Sequence, residues 1–91
     1  MKILTVCGMG SGSSLILKMN VDSVLEELGV FATVEACDLG SVGGNPADLI
    51  ISTNELKPQL EQYDTDKIFV NNVVDKETLK EQLKEYLNKR E

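Results

Sequence analysis

The passage Ile3-Leu4-Thr5-Val6-Cys7-Gly8-Met9-Gly10-Ser11-Gly12-Ser13-Ser14, running on into Leu15-Ile16-Leu17-Lys18-Met19, decides how the chain is read. Its first four residues are continuous, apolar or β-branched, the pattern of a strand buried on both faces. Glycine and serine then dominate from Gly8 to Ser14. Helical spacing takes over at Ser13. Leu17, Val21, Val24, Leu25 and Leu28 fall on one face, and Gly29 supplies a C-terminal stop. A strand, a tight loop and a helix form the opening unit of an α/β domain.

Three further apolar runs extend the pattern. Val30 to Cys37 mixes Thr33 and Glu35 with Val30, Phe31, Val34 and Ala36, as an edge strand does. Leu49-Ile50-Ile51 and Ile68-Phe69-Val70 are continuous, like the first run. Gly40, Gly43, Gly44 and Pro46 mark a loop before the third strand. A helical segment from Thr53 to Tyr63 is weakened by Pro58. Asp75 to Lys89 reads as a capped helix with Leu79, Leu83, Tyr86 and Leu87 on one face, and with Glu77–Lys80 and Glu81–Lys84 as solvent-side pairs. The order β-α-β-loop-β-α-β-α predicts one α/β domain over residues 1–91. It has three layers: a four-stranded parallel sheet of order 2-1-3-4 with helices on both faces. In such sheets ligands bind at the carboxyl ends of the strands, where strand order reverses, here just after the first strand.

Composition narrows the chemistry. The 91 residues carry 15 acids and 9 bases, a net charge of −6, which argues against nucleic acid or an anionic membrane surface as partner. The last helix is neutral, so the excess acid lies in residues 1–74 and suggests a complementary partner surface. No run reaches the length of a membrane helix and the apolar start is too short for a signal peptide, so a cytoplasmic protein is expected. There is no histidine. A Ser-His-Asp triad, a Cys-His pair and a phosphohistidine within the chain are therefore excluded. Two cysteines, Cys7 and Cys37, make neither a disulfide scaffold nor a good zinc site, and no metal is expected.

The loop after the first strand carries the candidate chemistry. Glycines let successive amides turn inward, and the start of the following helix adds unpaired N–H groups and the positive end of a dipole. Together they form an anion site without a charged side chain. Ser11, Ser13 and Ser14 add hydroxyl donors. Cys7 stands at the strand end, where the same amides should favour its thiolate over the thiol. An ordinary tight turn with a core cysteine is the plainer alternative.

Three chemistries could use such a loop. Dinucleotide binding fits poorly, because Ser13 stands where the third glycine belongs, and no lysine is present for a Walker loop. Cysteine-dependent hydrolysis would place an arginine six positions after Cys7, but Ser13 is there and the one arginine is Arg90. A phosphocysteine relay suits neutral amide donors, which hold a phosphate less firmly than arginine. The loop also lacks an obvious base to activate water.

The Cys7-Gly8-x-Gly10-x-Gly12-Ser13-Ser14 signature, its preceding strand, and Ala47-Asp48-Leu49-Ile50-Ile51-Ser52-Thr53 resemble the IIB component of the sugar phosphotransferase system (PTS). The resemblance is to the ascorbate/galactitol group, nearest the L-ascorbate type, and it spans essentially the whole chain. It implies a Rossmann/flavodoxin-like fold, Cys7 as the phosphorylated cysteine, and Gly8, Met9, Gly10, Ser11, Gly12, Ser13 and Ser14 as the phosphate-binding loop. It also implies a phosphohistidine donor on the EIIA component and a carbohydrate acceptor held by the membrane EIIC permease. No cofactor is implied beyond the covalent phosphocysteine. Galactitol-type and lactose/cellobiose-type IIB proteins are neighbouring readings; a low-molecular-weight cysteine phosphatase and a non-catalytic binding module are the competing ones. Cys37 aligns with a second cysteine of the ascorbate type, as a small buried hydrophobe or, less simply, a neighbour of the site or a redox partner of Cys7. Met9 is expected at the loop tip. Asp38 and Asp48 are expected at strand ends in solvated or capping roles.

Overall fold

The computed structural model describes residues 1–7, 13–72 and 74–90. Four strands, β1 (Lys2–Cys7), β2 (Thr33–Asp38), β3 (Leu49–Thr53) and β4 (Asp66–Val70), pair in parallel in the order β2-β1-β3-β4. The helices are α1 (Ser13–Leu28), a short α2 (Lys57–Leu60) and α3 (Lys76–Arg90), with 3-10 turns at Leu39–Gly44 and Asn54–Leu56. The expected strand order and layering are what the chain adopts.

Side-chain alternation along the strands splits the core in two. Ile3, Leu49, Ile51, Ile68 and Val70 face α1 and α3, where Leu17, Val21, Val24, Leu79 and Leu83 meet them. Leu4, Val6 and Ile50 face the other way, onto Val42, Leu56 and Leu60. One face is thus covered by two long helices and the other by two 3-10 turns and a single helical turn.

The boundaries of α1 follow from its sequence. Gly29 takes φ +70°; its N–H donates to the Glu26 carbonyl at 3.2 Å and the Val30 N–H donates to Leu25 at 3.0 Å. This doubly bonded stop needs a left-handed residue, which glycine supplies without strain. At the start of α3, Asp75 caps as expected, its Oδ1 accepting from the Thr78 N–H at 3.2 Å.

Four expectations change. The second strand begins at Thr33, not Val30: Val30 packs on the core from the connection, while Phe31 stands 98% exposed. β4 is an edge strand with Asp66 exposed and Lys67 and Phe69 half-buried, so its apolar run does not signal burial on both faces. The middle helix shrinks to a 3-10 turn and Lys57–Leu60, with Pro58 in its first turn. The glycine-rich stretch before β3 is not irregular throughout, since Leu39–Gly44 forms a 3-10 turn.

Charges outside the helices' own spacing also decide pairing. Lys76 and Lys80 reach across to Glu27 of α1 at 3.2 and 3.6 Å, a pairing between helices that the reading within α3 did not anticipate. Lys76 first, then Lys80, hold the Glu27 carboxyl below the usual glutamate range.

Candidate active site

The site is set by where the central strand stops. β1 lies between β2 and β3, and its crossover through α1 leads to one side while the next connection leads to the other. Strand order therefore reverses at the carboxyl end of β1, the usual place for a ligand crevice. Cys7 is the last residue of β1, and Ser13 and Ser14 are the first two of α1. The fold thus brings Cys7 and the N-terminus of α1 to the same end of the sheet. Gly8, Met9, Gly10, Ser11 and Gly12 lie outside the described residues, as do the side chains of Cys7, Ser13 and Ser14, and with them the expected thiolate character of Cys7.

The surroundings of this strand end are described. The first turn of α1 carries no acidic residue that would compete with an anion there. Lys18, one turn further, is held by Asp22 of its own helix at 2.8 Å. Asp38 ends β2 in register with Cys7, at the site end of the sheet. Asp48 is at the opposite pole. Its Oδ2 accepts from the Lys2 N–H at 2.8 Å, and its own N–H donates to the Lys2 carbonyl at 2.8 Å. It ties the start of β1 to the approach to β3, which is a structural role.

Cys37 is in register with Val6, whereas Cys7 pairs with Asp38. Cys37 packs beside the Leu4–Val6 side of the core and is half-buried, not fully buried as a small core residue would be. It lines an open cleft of about 750 Å3 along the β2 edge, with Leu15, Lys18, Glu35, Asp38 and Ser41 among its neighbours. Burial pushes its thiol pKa up, and the carboxylates of Asp38 and Glu35 add to this against the opposing charge of Lys2. That direction disfavours the thiolate of Cys37, the form in which a cysteine acts as a nucleophile.

Two features of this end escaped the sequence reading. Ser52 of β3 is fully buried and its hydroxyl donates to the Val6 carbonyl at 2.7 Å, one residue before Cys7. Its signal was available: a hydroxyl inside a buried apolar strand must find a partner. The second is a group of exposed apolar side chains, Leu15, Ile16 and Met19, on the outer side of the first turns of α1.

Comparison with known proteins agrees with this geometry. The family profile of the "PTS system, Lactose/Cellobiose specific IIB subunit" matches residues 2–85. The ascorbate-specific PTS system EIIB component of Mycoplasma pneumoniae is 35% identical over 88 residues, covering 93% of each chain. Its namesake in Escherichia coli O157:H7 is 38% identical over 61 residues, covering 65% of this chain and 60% of that one. The lactose-specific IIB component domain of Streptococcus pneumoniae shares the fold, with a TM-score of 0.61 at 20% identity over 97% of this chain and 95% of that one. Among the described residues no helix is long and apolar enough to cross a membrane. A parallel sheet of order 2-1-3-4 with a cysteine closing its central strand, matched by family and by relatives along nearly all its length, places this chain in the PTS IIB family.

Proposed function

We propose that the protein is a phosphotransferase that carries a phosphoryl group on Cys7 between a phosphohistidine of an EIIA component and a sugar held by a membrane EIIC permease. The observation that carries the reading is the position of Cys7 as the last residue of the central strand, directly before the connection to α1, in a chain of the PTS IIB family. In the first step the Cys7 thiolate attacks phosphorus, the S–P bond forms, and the P–N bond breaks with its electron pair going to the imidazole. In the second, a sugar hydroxyl attacks, an O–P bond forms, and Cys7 leaves as thiolate while the hydroxyl proton is released. The backbone amides of Gly8, Met9, Gly10, Ser11 and Gly12, with Ser13 and Ser14 at the helix start, hold the phosphoryl oxygens between the two steps.

Transfer rather than hydrolysis is supported by the position of the arginine in the chain. The single arginine, Arg90, is the last residue of the 15-residue α3, about 22 Å of helix from the end where α3 begins. The exposed Leu15, Ile16 and Met19 beside the site give both partners apolar surface on which to dock. A protein working in this way acts from the cytoplasmic side, against the permease. L-Ascorbate is the proposed sugar, because the relatives alike over most of the chain are ascorbate-specific. A lactose- or cellobiose-type sugar is the second reading, favoured by the description of the matching family profile.

The test is labelling by a phosphorylated EIIA protein. Phosphate is expected on Cys7 by peptide mass spectrometry, with none in Cys7→Ser. Sugar phosphorylation by Cys7→Ser in the presence of EIIA and EIIC would overturn the mechanism. Steady hydrolysis of p-nitrophenyl phosphate by the wild type would favour a phosphatase.

A further inference from the structure

We propose that Ser52 is a positioning residue for Cys7, setting the reactivity of the thiol through the peptide group that joins Val6 to Cys7. Ser52 is fully buried, and its Oγ–H donates to the Val6 carbonyl at 2.7 Å. The strand register makes this contact a second bond to one acceptor. The Asp48 N–H donates to the Lys2 carbonyl, so that carbonyl faces β3, and every second residue of β1 repeats the orientation. The Val6 carbonyl thus already faces Ser52, its Cα partner in the ladder. The hydroxyl adds a side-chain donor to a carbonyl that the backbone can satisfy alone.

That redundancy separates function from folding. Without the hydroxyl, no buried acceptor is orphaned, so the fold loses little. What changes is local. The Val6 carbonyl and the Cys7 N–H belong to one planar trans peptide, so holding the first orients the second. The hydroxyl proton also offsets part of the negative charge on the carbonyl oxygen that precedes Cys7 in the chain, which favours a thiolate there. Ser52 is well placed for this, since β3 is buried at all five positions and water does not screen the bond. Among the described residues no buried side-chain nitrogen or oxygen lacks a partner, so Ser52 is not filling a defect elsewhere.

The inference deepens the phosphocysteine reading but has one arm independent of it. Ser52→Ala should slow alkylation of native Cys7, followed by peptide mapping at fixed pH, by roughly three- to tenfold, the scale of one neutral hydrogen bond. Phosphoryl acceptance at saturating phospho-EIIA should fall by a similar factor, with the half-saturating donor concentration unchanged. Ser52→Thr keeps the hydroxyl and should restore both rates. Alkylation of Ser52→Ala at the wild-type rate would overturn the inference. So would equal slowing by Ser52→Ala and Ser52→Thr, which would mark a packing effect. If Ser52→Ala does not fold, the wild type decides: NMR should find the Ser52 hydroxyl proton protected from exchange, and rapid exchange counts against the bond. Failure of wild-type Cys7 to take up phosphate would refute the proposed function and leave the alkylation arm standing.

Discussion

Gly29 and Gly44 offer the same chemical change with opposite expected signs. At Gly29 an added Cβ would meet nothing within 4 Å, so sterics with neighbours cost nothing. The cost lies in its φ of +70°, a conformation that a residue with a Cβ adopts at roughly 1–2 kcal/mol. Alanine also restricts the unfolded chain, which returns about 0.4–1 kcal/mol. The net is a loss of about 1 kcal/mol, or some 4–8 °C in Tm for a domain of this size. At Gly44 there is again nothing within 4 Å and φ is not positive, so only the unfolded-state effect remains. Gly44→Ala should gain about 0.4–1 kcal/mol. Thermal and urea unfolding of the two variants beside the wild type should place them on opposite sides of it, with Gly29→Asn between Gly29→Ala and the wild type. If Gly29→Ala melts at or above the wild type, the backbone-strain account of how α1 ends is wrong.

Three further outcomes are expected. Asp75→Ala removes the cap of α3 and should cost about 1 kcal/mol in urea unfolding, with Asp75→Asn recovering most of it. Glu27 has a lowered carboxyl pKa when folded, so its contribution is complete above the ordinary glutamate range and disappears as pH falls through the folded value. The stability gap between wild type and Glu27→Gln should therefore be present at pH 7, close in acid, and shrink with added salt; a gap that widens in acid contradicts the Lys76 and Lys80 pairing. Cys37, with its thiol pKa raised, should alkylate more slowly at pH 7 than a cysteine in an unstructured peptide, and Asp38→Asn should accelerate it; no change on removing that charge would argue against the electrostatic part of the shift.

The parts of the fold that were legible in the sequence are those governed by local pattern. The span of α1 follows from the spacing of Leu17, Val21, Val24 and Leu25 and from the Gly29 stop, and the parallel sheet follows from alternating strands and helices. The misreadings share a cause. Phe31 and Val30 look like strand residues by type, but the position of Met1 beside Thr33 decides where β2 starts. Ile68-Phe69-Val70 looks fully buried, but the sheet ends there. Lys80 has a helical neighbour in Glu77, but Glu27 approaches it from another helix. Each outcome depends on a residue distant in sequence. The candidate site divides in the same way: Cys7 was marked by its loop, whereas Ser52 reaches the strand that ends in Cys7 only when β3 lies against β1 in register.

The polarity of the parallel strands has a consequence for attaching the protein to anything else. Cys7 is at one pole of the sheet. Met1 lies at the other, its carbonyl accepting from Thr33 at the start of β2. The chain returns to that second pole through α3, where the Tyr86 hydroxyl donates to Asp66 at the start of β4 at 2.8 Å. Residue 1 and the last turn of α3 therefore lie together on the side turned away from Cys7. A tag, a surface linker or a fused domain joined at either point hangs behind the module and leaves the Cys7 end of the sheet unobstructed.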